Sequence, residues 1–358
     1  MNKMGKRHRR QQIERSWFQI LLMTVIMVLA YGTGWSDESL RYADLGDFKL
    51  ENGMTIRNCR VAYRILGNLD EGKSNAVLAP TWLAGTTQEL VDLGIIGPGR
   101  MIDSKKYFIV AVDSFGNGVS SSPSNSAAQP DRAFPQFTIR DMVNAQYILL
   151  SKHLNISHLH AVVGISMGGM QAFQWLVTYP GYMDKIIPIV GTPWMTSNDM
   201  LLWSAELGVI ETIQGCGGGN DLAMKTLTPI HVLLLWTPRF RVANTKPDAF
   251  PGFLTELEKR FAGYNATDWA WQLKAIKSQD IRKDFAGSAA KTATAARAKS
   301  MVITSVQDQA VYPETARSFA RLLNSETAEL TGDCGHLAFL CELDKLKTLV
   351  NGFLEKGN

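Results

Sequence analysis

Hydrophobic positions along the 358-residue chain follow two rhythms. Short apolar runs recur at Ala76 to Ala79, Tyr107 to Val112, His160 to Val163, Ile186 to Val190 and Met301 to Ser305, each bounded by Gly, Pro, Ser or Asp. They do not alternate with polar residues, so both sides of each run must be buried, as in a parallel sheet covered by helices on both faces. Two alternating runs, Phe48 to Glu51 and Thr55 to Arg64, flank Asn52-Gly53 and predict an antiparallel hairpin. Helical spacing predicts a helix over Ile139 to His153, opened by Thr138 with Asp141 three residues on, and another over Met170 to Thr178 ahead of Pro180. Late helices are expected over Glu314 to Leu323 and Leu340 to Phe353.

Between Trp194 and Ala298 the strand rhythm gives way to helical segments and loops. The expected architecture is therefore an α/β core, residues 37–193 and 299–358, with a mostly parallel central sheet and a helical cap, residues 194–298, inserted into it. Within the cap, Gly215 to Asn220 lacks the Gly-Lys-Ser/Thr of a phosphate loop and reads as a flexible turn. Trp269 and Trp271 read as packing residues ahead of substrate contacts. No internal repeat is evident. The 46% apolar and 20% charged content supports a sizeable buried core and argues against disorder.

The first 36 residues differ from the rest. Lys3, Lys6, Arg7, Arg9, Arg10 and Arg15 precede an apolar stretch from Trp17 to Tyr31, the layout of a secretory signal. The stretch is shorter than the roughly 20 residues of a comfortable membrane span, and Ala30-Tyr31-Gly32 offers small residues for cleavage. A cleaved signal is the first reading, an uncleaved membrane anchor the second and a cytosolic helix the third; the first two place the remaining domain in the periplasm or outside the cell. Arg9-Arg10 is followed by Gln-Gln-Ile, which does not fit a twin-arginine signal. This segment, with six basic side chains against Glu14, carries +5 and so more than accounts for the net charge of +4. The remainder is near neutral, so nothing suggests nucleic-acid binding.

Cys59, Cys216, Cys334 and Cys341 form no C-x-x-C pair and no Cys/His spacing suited to zinc, so no metal and no cofactor is implied. Cys334 and Cys341 could form a disulfide in an oxidising compartment, though a free cysteine packs equally well in such surroundings.

The sharpest chemical signal is Gly164-Ile165-Ser166-Met167-Gly168-Gly169, placed between an apolar strand and a helix. A serine at such a turn sits in a strained conformation, and small residues two positions either side, Gly164 and Gly168, let the chain pass close enough to expose its hydroxyl. The following helix directs its N-terminal amides at a developing oxyanion, with the Met167 N–H as one donor. A serine needs an imidazole base, itself held by a carboxylate. His8 lies in the leader, His153, His158 and His160 surround the start of the nucleophile strand, and His231 lies in the cap. His336, in a late loop before a helix, is the candidate base. Asp308, just past the strand Met301 to Ser305, is the preferred acid. Asp333 is the rival, but three residues before His336 it would have to fold back within one loop, and it reads first as a turn or surface residue. The second oxyanion donor is expected in Thr81 to Gly85, with Leu83 as the candidate.

Several separated motifs carry a resemblance: Asn75 to Leu78, Gly97 to Phe108, Phe115 to Gly118 with Ser122 to Asn125, Phe137 to Val143, Ser166 to Gln171 and Gly335 to Leu340. On these the chain resembles the homoserine O-acetyltransferase family and its esterase-like relatives of the α/β-hydrolase fold. The resemblance implies Ser166, Asp308 and His336 as nucleophile, acid and base, Leu83 and Met167 as oxyanion donors, a helical cap, and a homodimer packed through it. Two departures point to the esterase-like branch. The acetyltransferases carry Asp directly after the catalytic histidine, expected to hold the homoserine amino group, where this chain has Leu337. Their His-Ala-Leu-Thr-Gly loop is here Thr81-Trp82-Leu83-Ala84-Gly85. An exported enzyme would also lack cytosolic acetyl-CoA. The leading expectation is a carboxylester hydrolase acting on a small acyl ester, followed by an O-acyltransferase, then a non-catalytic ligand-binding homologue.

Overall fold

The computed structural model describes residues 39–357; the expected signal or anchor segment lies outside the described residues. Strands β1 (Arg41–Lys49) and β2 (Thr55–Leu66) pair antiparallel around the Asn52-Gly53 turn. There Gly53 takes a left-handed φ of 82° and Asn52 Oδ1 accepts from the Met54 N–H at 2.9 Å. Strand β1 starts seven residues ahead of the alternating run read from sequence, because the stretch Arg41 to Asp47 is largely polar and exposed.

The hairpin joins one face-covered sheet with β3 (Ala76–Pro80), β6 (Phe108–Val112), β7 (Leu159–Ile165), β8 (Met183–Ile189), β9 (Lys299–Ser305) and β10 (Glu326–Leu330), in the order β1-β2-β6-β3-β7-β8-β9-β10. All pairings after β2–β6 are parallel. Two short strands, β4 (Ile96–Gly97) and β5 (Ile102–Asp103), pair separately. Neighbouring residues of a strand enter opposite apolar clusters. In β6, Val110 and Val112 pack on one side, Ile109 and Ala111 on the other; in β7, Val162 opposes Ala161 and Val163. Burial on both faces is the physical reason for the unalternating runs. Strand β10, Glu-Thr-Ala-Glu-Leu, lacks such a run because it is a mostly exposed edge strand, and the apolar pattern does not find it.

Helices α1 (Thr87–Asp92), α2 (Ile139–Ile148), α3 (Met167–Thr178), α10 (Glu314–Leu323), α11 (Ala338–Cys341) and α12 (Leu343–Leu354) belong to the core. The capping box expected at Thr138 and Asp141 opens α2. Between β8 and β9 lie α4 (Ser197–Gly215), α5 (Asn220–Leu235), α6 (Pro238–Asn244), α7 (Phe250–Phe261), α8 (Ala266–Lys277) and α9 (Ala289–Ala295), so this stretch is helical. Trp194 and Asp280 bridge its base. Asp199, which caps α4, also accepts the Tyr312 N–H at 2.9 Å and so ties the insertion to the loop after β9.

Candidate active site

Parallel strands order their carboxyl ends along one edge, where loops from different strands meet. Ser166 sits there between β7 and α3 with φ 56° and ψ −119°, a conformation unusual for a residue with a side chain. Its own N–H is held by the Ile189 carbonyl at 2.9 Å. A Cβ on Gly164 would collide with the Gly168 carbonyl, and one on Gly168 with the Pro80 carbonyl at the end of β3. The two glycines therefore let α3 pack against the ends of β7 and β3, which projects the serine hydroxyl outward.

The structure brings Ser166, His336 and Asp308 together. Ser166 Oγ lies 2.9 Å from His336 Nε2, and His336 Nδ1 lies 2.7 Å from Asp308 Oδ2. Since a carboxylate only accepts, Nδ1–H donates to Asp308 and Nε2 is left to accept from the serine. Asp308 is itself oriented, with Oδ1 accepting from the Ala310 and Val311 N–H groups, both at 2.9 Å. Histidine and acid are 5% and 8% exposed, which strengthens their mutual interaction by excluding water.

The loop carrying His336 is held on every side. Ser305 Oγ donates to the Gly335 carbonyl at 2.7 Å, and Thr237 Oγ1 to the Asp333 carbonyl at 2.5 Å. Gly335 adopts φ 63°, and a side chain there would meet the Leu235 carbonyl at 2.9 Å. Cys334 and Cys341, left open by the sequence, form a disulfide with a Cα–Cα distance of 6.5 Å that brackets His336. Asp333 stands apart from the relay: its carboxylate faces Arg239 at 3.6 Å. His231 lies in the insertion, paired with Glu206 at 3.0 Å.

Opposite the serine, the loop Thr81 to Gly85 leaves β3. Its Thr81 N–H donates to Val112 O, the Ala84 N–H to Gln272 Oε1 and the Gly85 N–H to Trp82 O. The Leu83 and Met167 N–H groups have no protein acceptor among the described residues. The Trp82 N–H is likewise without an acceptor among the described residues, so the loop and the first turn of α3 each keep free donors, which is what a developing oxyanion requires.

A cavity of about 260 Å³ adjoins this loop, lined among others by Ala84, Asn117, Ser124, Tyr264, Asp268 and Trp269. Asp268 accepts from the Ser124 N–H at 2.8 Å and from its hydroxyl, yet burial pushes its carboxyl up to about 6. Trp271 is a packing residue whose indole N–H donates to the Phe134 carbonyl at 3.0 Å, whereas Trp269 both packs against Tyr264 and walls the cavity. Leu337 lies half-buried in the apolar cluster that also receives Trp82, Trp236 and Phe240. Among the described residues, no three His, Cys, Asp or Glu side chains converge as metal ligands.

Sequence reasoning missed the residues that hold the loop after β3. Asp113 accepts from the Thr87 N–H and hydroxyl at 3.0 and 2.7 Å, and burial raises its carboxyl above the usual range. Asn117 Nδ2 donates to Gly85 O at 3.0 Å, and Gln171 Nε2 to Thr81 O at 3.1 Å. Asn117 and Gln171 fall inside the motifs quoted above, which was the available signal. Gln272 falls in none.

A strained serine after a parallel strand, an imidazole on its hydroxyl and a carboxylate behind the imidazole define the class of α/β-hydrolase-fold enzymes. The family model described as alpha/beta hydrolase fold matches residues 100–210. Within that superfamily the chain belongs to the homoserine O-acetyltransferase-like family, near its esterase branch. It is 31% identical over 315 residues to an ethyl acetate hydrolase of Pseudomonas veronii, covering 82% of this chain and 88% of that one. It is 28% identical over 353 residues to a homoserine O-acetyltransferase of Methanosalsum zhilinae, covering 86% and 71%. The solved acetylester hydrolase from Corynebacterium glutamicum superposes with a TM-score of 0.83 at 26% identity, over 89% and 96% of the two chains. The chain is thus an α/β-hydrolase enzyme of the carboxylesterase or acyltransferase type.

Proposed function

We propose that the protein is an exported carboxylester hydrolase. Ser166 attacks the ester carbonyl, His336 takes the serine proton and returns it to the departing alcohol, and Asp308 holds the imidazole tautomer and stabilises the imidazolium. The Leu83 and Met167 N–H groups receive the oxyanion, and water then resolves the acyl-enzyme. The observation that carries this reading is the continuous relay from Ser166 through His336 to Asp308 at 2.9 and 2.7 Å.

Water as acceptor is supported by Leu337, an apolar side chain that offers nothing to an ammonium group, and by the ester-cleaving relatives. Export is supported by the basic and apolar leader together with the disulfide, since disulfides persist in oxidising compartments. The leader would serve as a cleaved signal or as a membrane tether. A homodimer through the helical insertion is supported by Leu201, Leu233 and Val242, which stand 72%, 69% and 79% exposed there; sedimentation velocity of the purified protein tests it.

The competing reading is an O-acyltransferase of the homoserine type, favoured by relatives that carry that name. A stopped-flow time course with p-nitrophenyl acetate, on native protein and Ser166→Ala, separates the two. Steady turnover that vanishes in the variant establishes the hydrolase. A burst that stalls until homoserine is added establishes the transferase, and no reaction in either protein refutes both.

A further inference from the structure

We propose that Gln272, on the inserted helix α8, is a positioning residue through which the helical insertion sets the oxyanion loop of the core. This rests on the acyl-transfer reading of Ser166 above and extends it to a residue far away in sequence.

Gln272 is fully buried, and both ends of its amide are engaged with the core. Oε1 accepts from the Ala84 N–H at 2.6 Å, and Nε2 donates to the Phe115 carbonyl at 2.7 Å. Ala84 follows the proposed donor Leu83 and has a φ of 54°, a left-handed conformation that a residue with a Cβ holds only when its surroundings impose it. Core side chains hold the rest of this segment: Ser114 and Gln171 at Thr81, Asn117 at Gly85, and Asp113 at Thr87, where α1 begins. Gln272 alone among these five reaches the segment from the insertion. Its acceptor oxygen satisfies Ala84, so this N–H neither rotates toward the oxyanion position nor lets the left-handed bend relax. Its donor end fixes the amide orientation against the β6 loop, so the glutamine cannot swing away.

The consequence is that a remote apolar-for-polar change at 272 acts on the rate of the chemical step. The test is steady-state kinetics of p-nitrophenyl acetate hydrolysis by the full-length protein, its Q272M and Q272E variants, and Ser166→Ala as the blank. Methionine fills the same volume but accepts no hydrogen bond from Ala84. We expect kcat of Q272M to fall about 10- to 100-fold with KM within about twofold, the size of an oxyanion donor displaced but not removed. Inhibition by a boronic acid that forms a tetrahedral adduct on Ser166 weakens in parallel. In Q272E, burial favours the neutral acid, which accepts from the Ala84 N–H and donates its O–H to the Phe115 carbonyl, so Q272E recovers most of the lost kcat.

Wild-type kcat in folded Q272M, a loss lying wholly in KM, or a Q272E rate as low as that of Q272M would each overturn the inference. Should Q272M not fold, Q272N replaces it, being one methylene too short to reach Ala84, and is judged by the same criteria. If the wild-type protein itself turns over no faster than Ser166→Ala, it is the ester-hydrolase reading that fails.

Discussion

Removing the disulfide between Cys334 and Cys341 should weaken both the fold and the reaction, and its size can be worked out from where the bridge sits. The cross-link closes a loop of sequence separation 7 around His336. The chain-entropy relation gives about 2.4 kcal/mol of stabilisation for a loop of that length. For a folded unit of this size, a melting entropy of about 2.1 cal/mol/K per residue turns that into a Tm drop of roughly 3–4 °C. The same loop must hold His336 Nε2 at 2.9 Å from Ser166 Oγ. If the full ordering cost were met in each catalytic cycle, kcat would fall by about 60-fold, from 1.36 kcal/mol per tenfold. The bonds from Ser305 and Thr237 to the loop carbonyls persist on reduction, so a loss of about tenfold is expected. The assay is kcat, KM and Tm for the protein before and after reduction, with the Cys334→Ala/Cys341→Ala protein as a control that no longer responds to reductant. Unchanged kcat and Tm after verified reduction would show that the bridge does not hold His336 in place, as would a loss lying equally in KM.

Asp308→Asn is expected to lower kcat by about 10⁴-fold, because an amide can present N–H to Nδ1 and turn the imidazole to the wrong tautomer; stopped-flow acylation rates check it, and the Asp333→Asn protein should stay within about twofold of wild type. Gly168→Ala places a Cβ 2.5 Å from the Pro80 carbonyl, so it should cost about 1–3 kcal/mol by overpacking and lower kcat as β3 shifts, read from urea midpoints and turnover. Asp268 is expected to make stability fall with pH. Burial raises its carboxyl to about 6, so the folded state holds the proton more tightly than the unfolded chain. The resulting stabilisation is complete below about pH 4 and is lost as pH rises through 6, amounting to about 3 kcal/mol at most. Melting curves from pH 4.5 to 7.5 should therefore fall more steeply for wild type than for Asp268→Asn, and parallel curves would sink the idea.

Much of this molecule can be read from local pattern. Apolar runs without alternation name the strands β3, β6, β7, β8 and β9 because strands covered on both faces have no polar side to reveal. Ser166 is legible because the strained turn admits only glycine two residues before and after it, and that requirement is written within five consecutive residues. His336 and Asp308 follow from chain order and residue type. Edge strand β10 escapes this reading, since exposure removes its hydrophobic pattern.

Other features depend on residues that meet only in space. Whether Cys334 and Cys341 join is decided by the turn after β10 and the short helix α11, which bring their Cα atoms to 6.5 Å. That Leu83, and not Ala84, has its N–H free is decided by Gln272, 188 residues later in the chain. The class of the protein and its candidate reactive side chains are legible in the chain, because strained turns, strand burial and helix caps are local requirements on residue type. How the loop after β3 and the loop carrying His336 are held is settled in three dimensions, because a single buried hydrogen bond across the core leaves no periodicity and no motif in the chain that makes it.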